Sequence, residues 1–308
     1  MVPVSGSHGT RQRVLRSCPE DSRILIGMSM RPLILRISEE VSTWPEVVAL
    51  VESGSRTAGN ADASSDIDLY LYVSTEVPVE RRRALIGKLS DEAEIDNHFW
   101  ETSDEWTDRS TGVFVDMMYR SPAWIEGELA RILDLHVASI GYTTCLLHNV
   151  LTSKPLCDQT GWFAALQANV AQRYPEELAC AIVAKNYPLL RDARGSFGAQ
   201  IVRAARRADT VSVNHRTTAF LASYFDVLFA LNRVPHPGEK RLLALGLRLP
   251  CVPESCAADV SQLLMAGGRC HEGELHSAVN RLVDGLDQLL SRQVMDQSYG
   301  RLLGYEQG

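Results

Sequence analysis

Apolar positions divide this chain into two regimes. Residues 46–53, EVVALVES, are rich in β-branched side chains and stop at Gly54. Residues 67–73, IDLYLYV, alternate and are again β-rich, and residues 112–119, GVFVDMMY, form a third apolar run. Runs of this kind predict strands. Between the first two lies GSRTAGNADASSD, whose small and polar residues predict a loop. Residues 79–90 predict an amphipathic helix, and residues 122–133 a helix opened by a proline at its first position. The segment 143–153, TTCLLHNVLTS, predicts a further strand. From Gln159 onward the spacing becomes helical: Leu275, Val279, Leu282, Val283, Leu286, Leu289 and Leu290 fall on one stripe. Residues 217–233 are apolar nearly all round and predict a central buried helix, with a shorter helix over 253–268. Pro175, Pro188, Pro235, Pro237, Pro250 and Pro253 punctuate this region. The chain therefore reads as α+β: a small mixed β-sheet domain with flanking helices over 31–158, then an all-α helical bundle over 159–308.

Residues 1–30 lack the sustained apolar stretch of a secretory signal and predict a flexible tail, with Met28 or Met30 as alternative starts. Arg11, Arg13 and Arg16 read there as solvated charges. Composition narrows the function classes. The 308 residues are 45% hydrophobic and 22% charged, as in an ordinary globular protein, and the net charge is −7. No lysine-arginine block is present, which argues against a long nucleic-acid footprint. The seven cysteines are scattered and form no CxxC pair, so neither a disulfide framework nor a structural zinc site is expected. They read as reduced thiols of a cytoplasmic protein. No stretch is apolar and long enough to span a membrane.

The second strand carries the chemistry. Residues i and i+2 of a strand share a face, so Asp66 and Asp68 project together while Ile67 and Leu69 point to a core. Asp116 sits in the other apolar strand, between Val115 and Met117. If the strands are neighbours, three carboxylates meet. At about 5 Å and an effective dielectric of ~20, each like-charged pair costs roughly 3 kcal/mol. A cation or a proton must compensate, and all-oxygen donors suit Mg²⁺ or Mn²⁺. Upstream, a strand ending in Gly54-Ser55 and turning presents backbone N–H groups and a hydroxyl that suit phosphate oxygens. Gly54 and Gly59 permit close approach, and the Arg56 guanidinium matches phosphate geometry. Together these groups suit a two-metal phosphoryl- or nucleotidyl-transfer site.

The stretch GSRTAGNADASSDIDLYLYV resembles the signature of the nucleotidyltransferase superfamily, the DNA polymerase β-like fold: Gly-Ser, a loop, Asp-x-Asp in a strand, and a later acidic residue. Gly54, Ser55, Arg56, Gly59, Ser65, Asp66, Ile67, Asp68 and Leu69 fit the version seen in bacterial kanamycin- and lincosamide-type enzymes and in minimal antitoxin relatives. Asp116 fits the third acid. The resemblance covers about residues 46–120. The stretches 184–192 and 229–243 are similar to an uncharacterised helical domain that follows such domains in bacterial proteins. The resemblance implies that Asp66 and Asp68 hold both metals, that Asp116 binds the catalytic metal and orients the attacking hydroxyl, and that Gly54 and Ser55 hold the terminal phosphates. It further implies transfer of a nucleoside monophosphate, AMP from ATP or another NTP, to the hydroxyl of a small molecule, with release of pyrophosphate. The alternative is an antitoxin-like or regulatory protein that nucleotidylates or binds a partner protein.

Each assignment competes with a structural one. Ser55 is also suited to capping a turn, Arg56 to a surface charge, and Asp116 to backbone hydrogen bonds. Arg56, Ser65, Lys185 and Lys240 are the further nucleotide-binding candidates. Lys185, in an apolar helix, needs an anion or must snorkel outward. His236, Lys240 and Arg241 lie at one turn, and His215 and Arg216 precede the buried helix. Asp226, within that helix, reads as a structural hydrogen-bond acceptor. Residues 99–112, FWETSDEWTDRSTG, read as an acidic, aromatic loop, either solvated or suited to a cationic acceptor.

Overall fold

The structure is a computed structural model and describes residues 20–57 and 65–294. In chain order it contains α1 (Glu20–Val41), β1 (Val47–Ser53), the short α2 (Gly54–Thr57), β2 (Ile67–Val73), α3 (Val79–Ile86), β3 (Ala93–Asn97), β4 (Ser103–Thr107), β5 (Phe114–Arg120), α4 (Pro122–Leu133), α5 (Cys145–Thr152) and β6 (Lys154–Asp158). Helices then follow without interruption: α6 (Trp162–Val170), α7 (Glu176–Leu190), α8 (Phe197–Arg206), α9 (Thr210–Leu231), α10 (Leu242–Gly246), α11 (Cys256–Arg269) and α12 (Glu272–Val294).

Six strands form one mixed sheet in the order β3-β4-β5-β2-β1-β6. All neighbours run antiparallel except β2 and β5, which are parallel. The central strands are apolar on both sides, and each side is covered. Leu50, Ile67, Leu69, Leu71, Val115, Met117 and Trp106 join Leu33, Ile37 and Val41 of α1 and Leu85 and Ile86 of α3 in one core. The opposite side contributes Ala49, Val51, Tyr70 and Tyr72 to a larger core shared with α4 to α9, α11 and α12. Helix α9 is its axis, buried almost continuously from Phe220 to Leu231. The α+β architecture expected from the periodicity is the one observed.

Strands β1, β2 and β5 and helix α4 fall where the periodicity places them. Ser121 caps α4 by accepting the Trp124 N–H, and Pro122 opens it. Two expectations need correction. The strand predicted over 143–153 is helix α5: its apolar residues at 146, 147, 150 and 151 follow helical spacing, and Leu147 and Val150 bury into the shared core. The loop predicted over 99–112 contains strand β4, whose alternation buries Trp106 completely against the α1 side while Trp100 stays exposed. The tail expected over 1–30 lies outside the described residues up to residue 19, and from Glu20 the backbone is helical. Among the described residues no helix is long and apolar enough to cross a membrane.

Phe163 of α6 is fully buried and its ring lies 5.6 Å from that of Tyr72, where sheet meets helices. Phe163→Ala is expected to lower the unfolding free energy by about 3–5 kcal/mol, as cavity-forming core truncations do. Urea denaturation followed by circular dichroism measures it.

Candidate functional site

The parallel pairing of β2 with β5 sets Asp68 opposite Asp116, and the antiparallel pairings set Ser53 opposite Asp68 and Glu105 opposite Asp116. Ser53, Asp68, Asp116 and Glu105 thus form a row across four strands on the face shared with the helices. Glu105 is the member of this row that sequence reading missed. Its signal was the alternation in SDEWT, which a loop assignment hides. Asn97 donates its side-chain amide to Glu105 Oε1 at 2.9 Å.

The turn after β1 is built against this row. Gly54 has φ +73°, and a Cβ there would lie 1.8 Å from Asp68 Oδ2. No residue with a side chain fits: the left-handed backbone disfavours one, and the carboxylate occupies its space. Helix α5 fixes the other flank. Asn149 donates to Ser53 Oγ at 2.8 Å and to the Tyr70 hydroxyl at 3.1 Å, and the Ser53 and Ser153 hydroxyls lie 3.0 Å apart. The segment leading into α5 is held by Asp226, which accepts from the Thr143 N–H at 3.1 Å and its hydroxyl at 2.7 Å, and by Asn186, which accepts the Gly141 N–H at 2.9 Å. Asp226 is therefore a buried structural acceptor, as its helical setting suggested. Its own carboxyl is pushed up to about 6 by burial.

Over Asp68, the one member of the row in its lining, lies a cleft of about 640 Å³ also lined by Gly54, Ser65, Asp66, Tyr70, His148, Asn149 and residues 237–241. This volume suits a small organic ligand. Gly54, Ser65, Asp66, Asp68 and Lys240, all candidates from sequence, meet here. Asp66 is exposed at the rim. Asp116 lies one strand farther, half-buried, and its Oδ1 has no hydrogen-bond partner among the described residues. Burial, then Glu105 and Asp68, push the Asp116 carboxyl up to about 6. Burial also raises Asp68; Lys240 is the largest opposing influence, and Asp66 and Glu52 add to the rise.

Other candidates fall elsewhere. Lys185 is exposed on α7 and does not line the cleft, because Leu178, Ile182, Val183, Asn186 and Leu190 occupy the buried side of that helix. Arg56 is tied to Glu52, Nε to Oε1 at 3.0 Å, and stays outside the cleft lining. The Ser55 side chain and Gly59 lie outside the described residues. His215 is exposed, and neither it nor Arg216 lines the cleft. Arg120, at the end of β5, is held by Glu101 at 2.7 and 2.9 Å and lies 4.0 Å over the Tyr70 ring. It brings a buried positive charge to the acid row and lowers the pKa of Asp116 against the other influences.

Among the described residues no group of three acid, histidine or cysteine side chains forms a ready-made metal cage. That does not conflict with Mg²⁺ or Mn²⁺, since Mg²⁺ is usually held by one or two carboxylates plus substrate phosphates. Hard oxygen donors at Asp68 and Asp116, one of them with a bare oxygen, fit such an ion, and Asp66 is a further carboxylate at the cleft rim.

Two outcomes follow. Gly54→Ala is expected to cost about 1–2 kcal/mol from backbone handedness alone, and to displace Asp68, abolishing any Mn²⁺-induced rise in melting temperature; differential scanning fluorimetry with and without Mn²⁺ reads both. Asp116 has a folded pKa of about 6, above the ordinary value of 3.8, so its stabilising contribution is complete below about pH 4 and is lost as pH rises through about 6. In EDTA, wild type is therefore expected to lose more stability than Asp116→Asn between pH 4 and pH 7, measured by urea unfolding at each pH.

Residues 143–242, under half of the chain, match the model of a family described as a domain of unknown function, DUF4037. No curated protein matches the chain. Among solved structures, it is similar to a nucleotidyltransferase-like protein from Exiguobacterium sibiricum 255-15, at 14% identity over 90% of this chain and 77% of that one, with a TM-score of 0.42. A likeness of that size carries no argument about activity, which rests on the site itself.

Proposed function

We propose that the chain is a nucleotidyltransferase that moves a nucleoside monophosphate, AMP from ATP foremost, to a hydroxyl of a small-molecule acceptor. One observation carries the reading: Asp68 and Asp116 stand opposite each other on parallel strands, with the Gly54 backbone against Asp68 at the floor of the cleft. A row of acids alone repels a polyphosphate, so the reading requires a cation between them.

Mg²⁺ or Mn²⁺ held by Asp66, Asp68 and Asp116 would supply the positive charge that offsets the phosphates. The chain's own residues do the rest. Gly54, with Ser55 and Ser65 beside it, leaves room for the terminal phosphates close to backbone. Lys240 reaches the cleft from the other wall and adds a cation on the phosphate side. Asp116, whose Oδ1 has no hydrogen-bond partner among the described residues, orients the acceptor hydroxyl and takes up its proton. The acceptor oxygen forms a bond to the α-phosphorus, the bond from that phosphorus to the bridging oxygen breaks, and pyrophosphate leaves.

A protein acceptor is the second reading, and one feature favours it. Phe99 and Trp100 are 80% and 95% exposed on the loop joining β3 to β4, the kind of exposed apolar pair a partner surface covers.

Incubation with α-labelled ATP, Mg²⁺ and either a panel of hydroxylated metabolites and antibiotics or a cell lysate tests both. Label on a small molecule, lost in EDTA and reduced by about 100-fold or more in Asp68→Ala, is the expected result, on the scale of losing one electrostatic stabiliser. Label on a protein band selects the second reading. Transfer that persists in EDTA contradicts the metal's role.

A further inference from the structure

The turn between α9 and α10 contains a polar side chain that the proposed reaction does not use. His236 is fully buried. Its backbone N–H donates to the Thr144 hydroxyl at 2.8 Å, and its Nδ1 accepts the Gly238 N–H at 3.1 Å. Cys145 Sγ lies 3.4 Å from the same nitrogen. The ring sits between Tyr142 and Phe229, each with its centroid 5.0 Å away. Burial, with a smaller contribution from His148, lowers its pKa to about 4, so the imidazole is neutral near pH 7 and free to accept at Nδ1.

The connections run in both directions. Thr144 immediately precedes α5, whose Asn149 bonds Ser53 and Tyr70 beside the acid row. On the other side, Pro237, Gly238, Glu239, Lys240 and Arg241 line the cleft opposite Asp66 and Asp68. Gly238 at φ +94° and Arg241 at φ +56° give this turn a bent backbone that needs outside support. Of the charges acting on Asp68, Lys240 is the strongest.

We propose that His236 is a positioning residue: its ring, accepting the Gly238 N–H and touching Cys145 at the start of α5, works with its backbone bond to Thr144 to hold the 237–241 turn against α5, which sets the distance of Lys240 from the Asp68 side of the cleft and so makes the site selective for a nucleoside triphosphate over a monophosphate. The proposal rests on the nucleotidyltransferase reading. It adds that the helical half, not the sheet, fixes the cation for the terminal phosphates, through a neutral buried imidazole.

Binding of ATP and of AMP, each with Mg²⁺ and without acceptor, is measured by calorimetry for the full-length wild type, Lys240→Met, His236→Phe, Thr144→Val and the His236→Phe/Lys240→Met double variant. His236→Phe keeps a ring between Tyr142 and Phe229 but removes the acceptor. Both His236→Phe and Lys240→Met are expected to weaken ATP binding by about tenfold, in the range of one lost charge-assisted hydrogen bond, with AMP binding within twofold of wild type. The double variant is expected to be no weaker than Lys240→Met, because His236 acts through Lys240. A purely structural histidine would weaken ATP and AMP alike, or add its effect to that of Lys240→Met; either result overturns the proposal, as does unchanged ATP binding in His236→Phe. If His236→Phe fails to fold by circular dichroism, Thr144→Val carries the same expectations and the same contrary outcomes. Wild type that binds none of the four NTPs with Mg²⁺ or Mn²⁺ overturns the transferase reading together with this one, whereas wild type that binds ATP with all variants unaffected overturns this one alone.

Discussion

Two carboxylates held opposite each other on neighbouring strands repel, and strand pairing gives them no freedom to separate. Asp68 and Asp116 are fixed in this way by six consecutive residue pairs between β2 and β5. The apolar residues that flank them in sequence, Ile67, Leu69, Val115 and Met117, are fully buried on the far side of the sheet. A slip of one residue would turn those four toward the cleft and both aspartates into the core. The core on the α1 side thus holds the acids together although their charges oppose it. Burial is the main cause of the raised pKa of both groups; at Asp116 the Glu105 and then the Asp68 charge add to it, and Arg120 opposes it there as Lys240 does at Asp68.

The surroundings follow from that constraint. Gly54 is glycine because the Asp68 carboxylate fills the space a side chain would need. Helix α5 lies across the strand ends because Asn149 and Ser153 meet Ser53 there, and the buried Asp226 and Asn186 hold the segment that leads into it. The 237–241 turn then closes the cleft from the helical half. Each connection passes through buried polar groups whose partners are supplied by another element, which is how side chains far apart in sequence acquire a fixed geometry.

Much of this was legible in the sequence, for a physical reason. Residues 67–73 and 114–120 form central strands whose inward side chains are unbroken apolar runs, so a lone aspartate in each stands out, and the period of two gives its side. Gly54 stood out as a strand terminator. What escaped depended on tertiary contacts. TTCLLHNVLTS has enough β-branched and apolar residues to suit a strand, and only its packing against the shared core makes it α5, which hid His148 and Asn149. SDEWT lies among loop-forming residues, and its strand character comes from pairing with β5, which hid Glu105. Lys185 and Arg56 fall outside the cleft lining because composition says that a charge needs a partner but not which one: α7 turns Lys185 to solvent, and Glu52, near the end of β1, takes Arg56.

The central claim is that the facing aspartates share a divalent cation beneath a polyphosphate. An anomalous difference map from crystals grown with Mn²⁺ and a non-hydrolysable ATP analogue tests it most directly. The account predicts a Mn²⁺ peak within coordinating distance of both Asp68 and Asp116, with the analogue's phosphates beside Gly54. Analogue bound elsewhere, or bound in the cleft with no Mn²⁺ touching either aspartate, would contradict it.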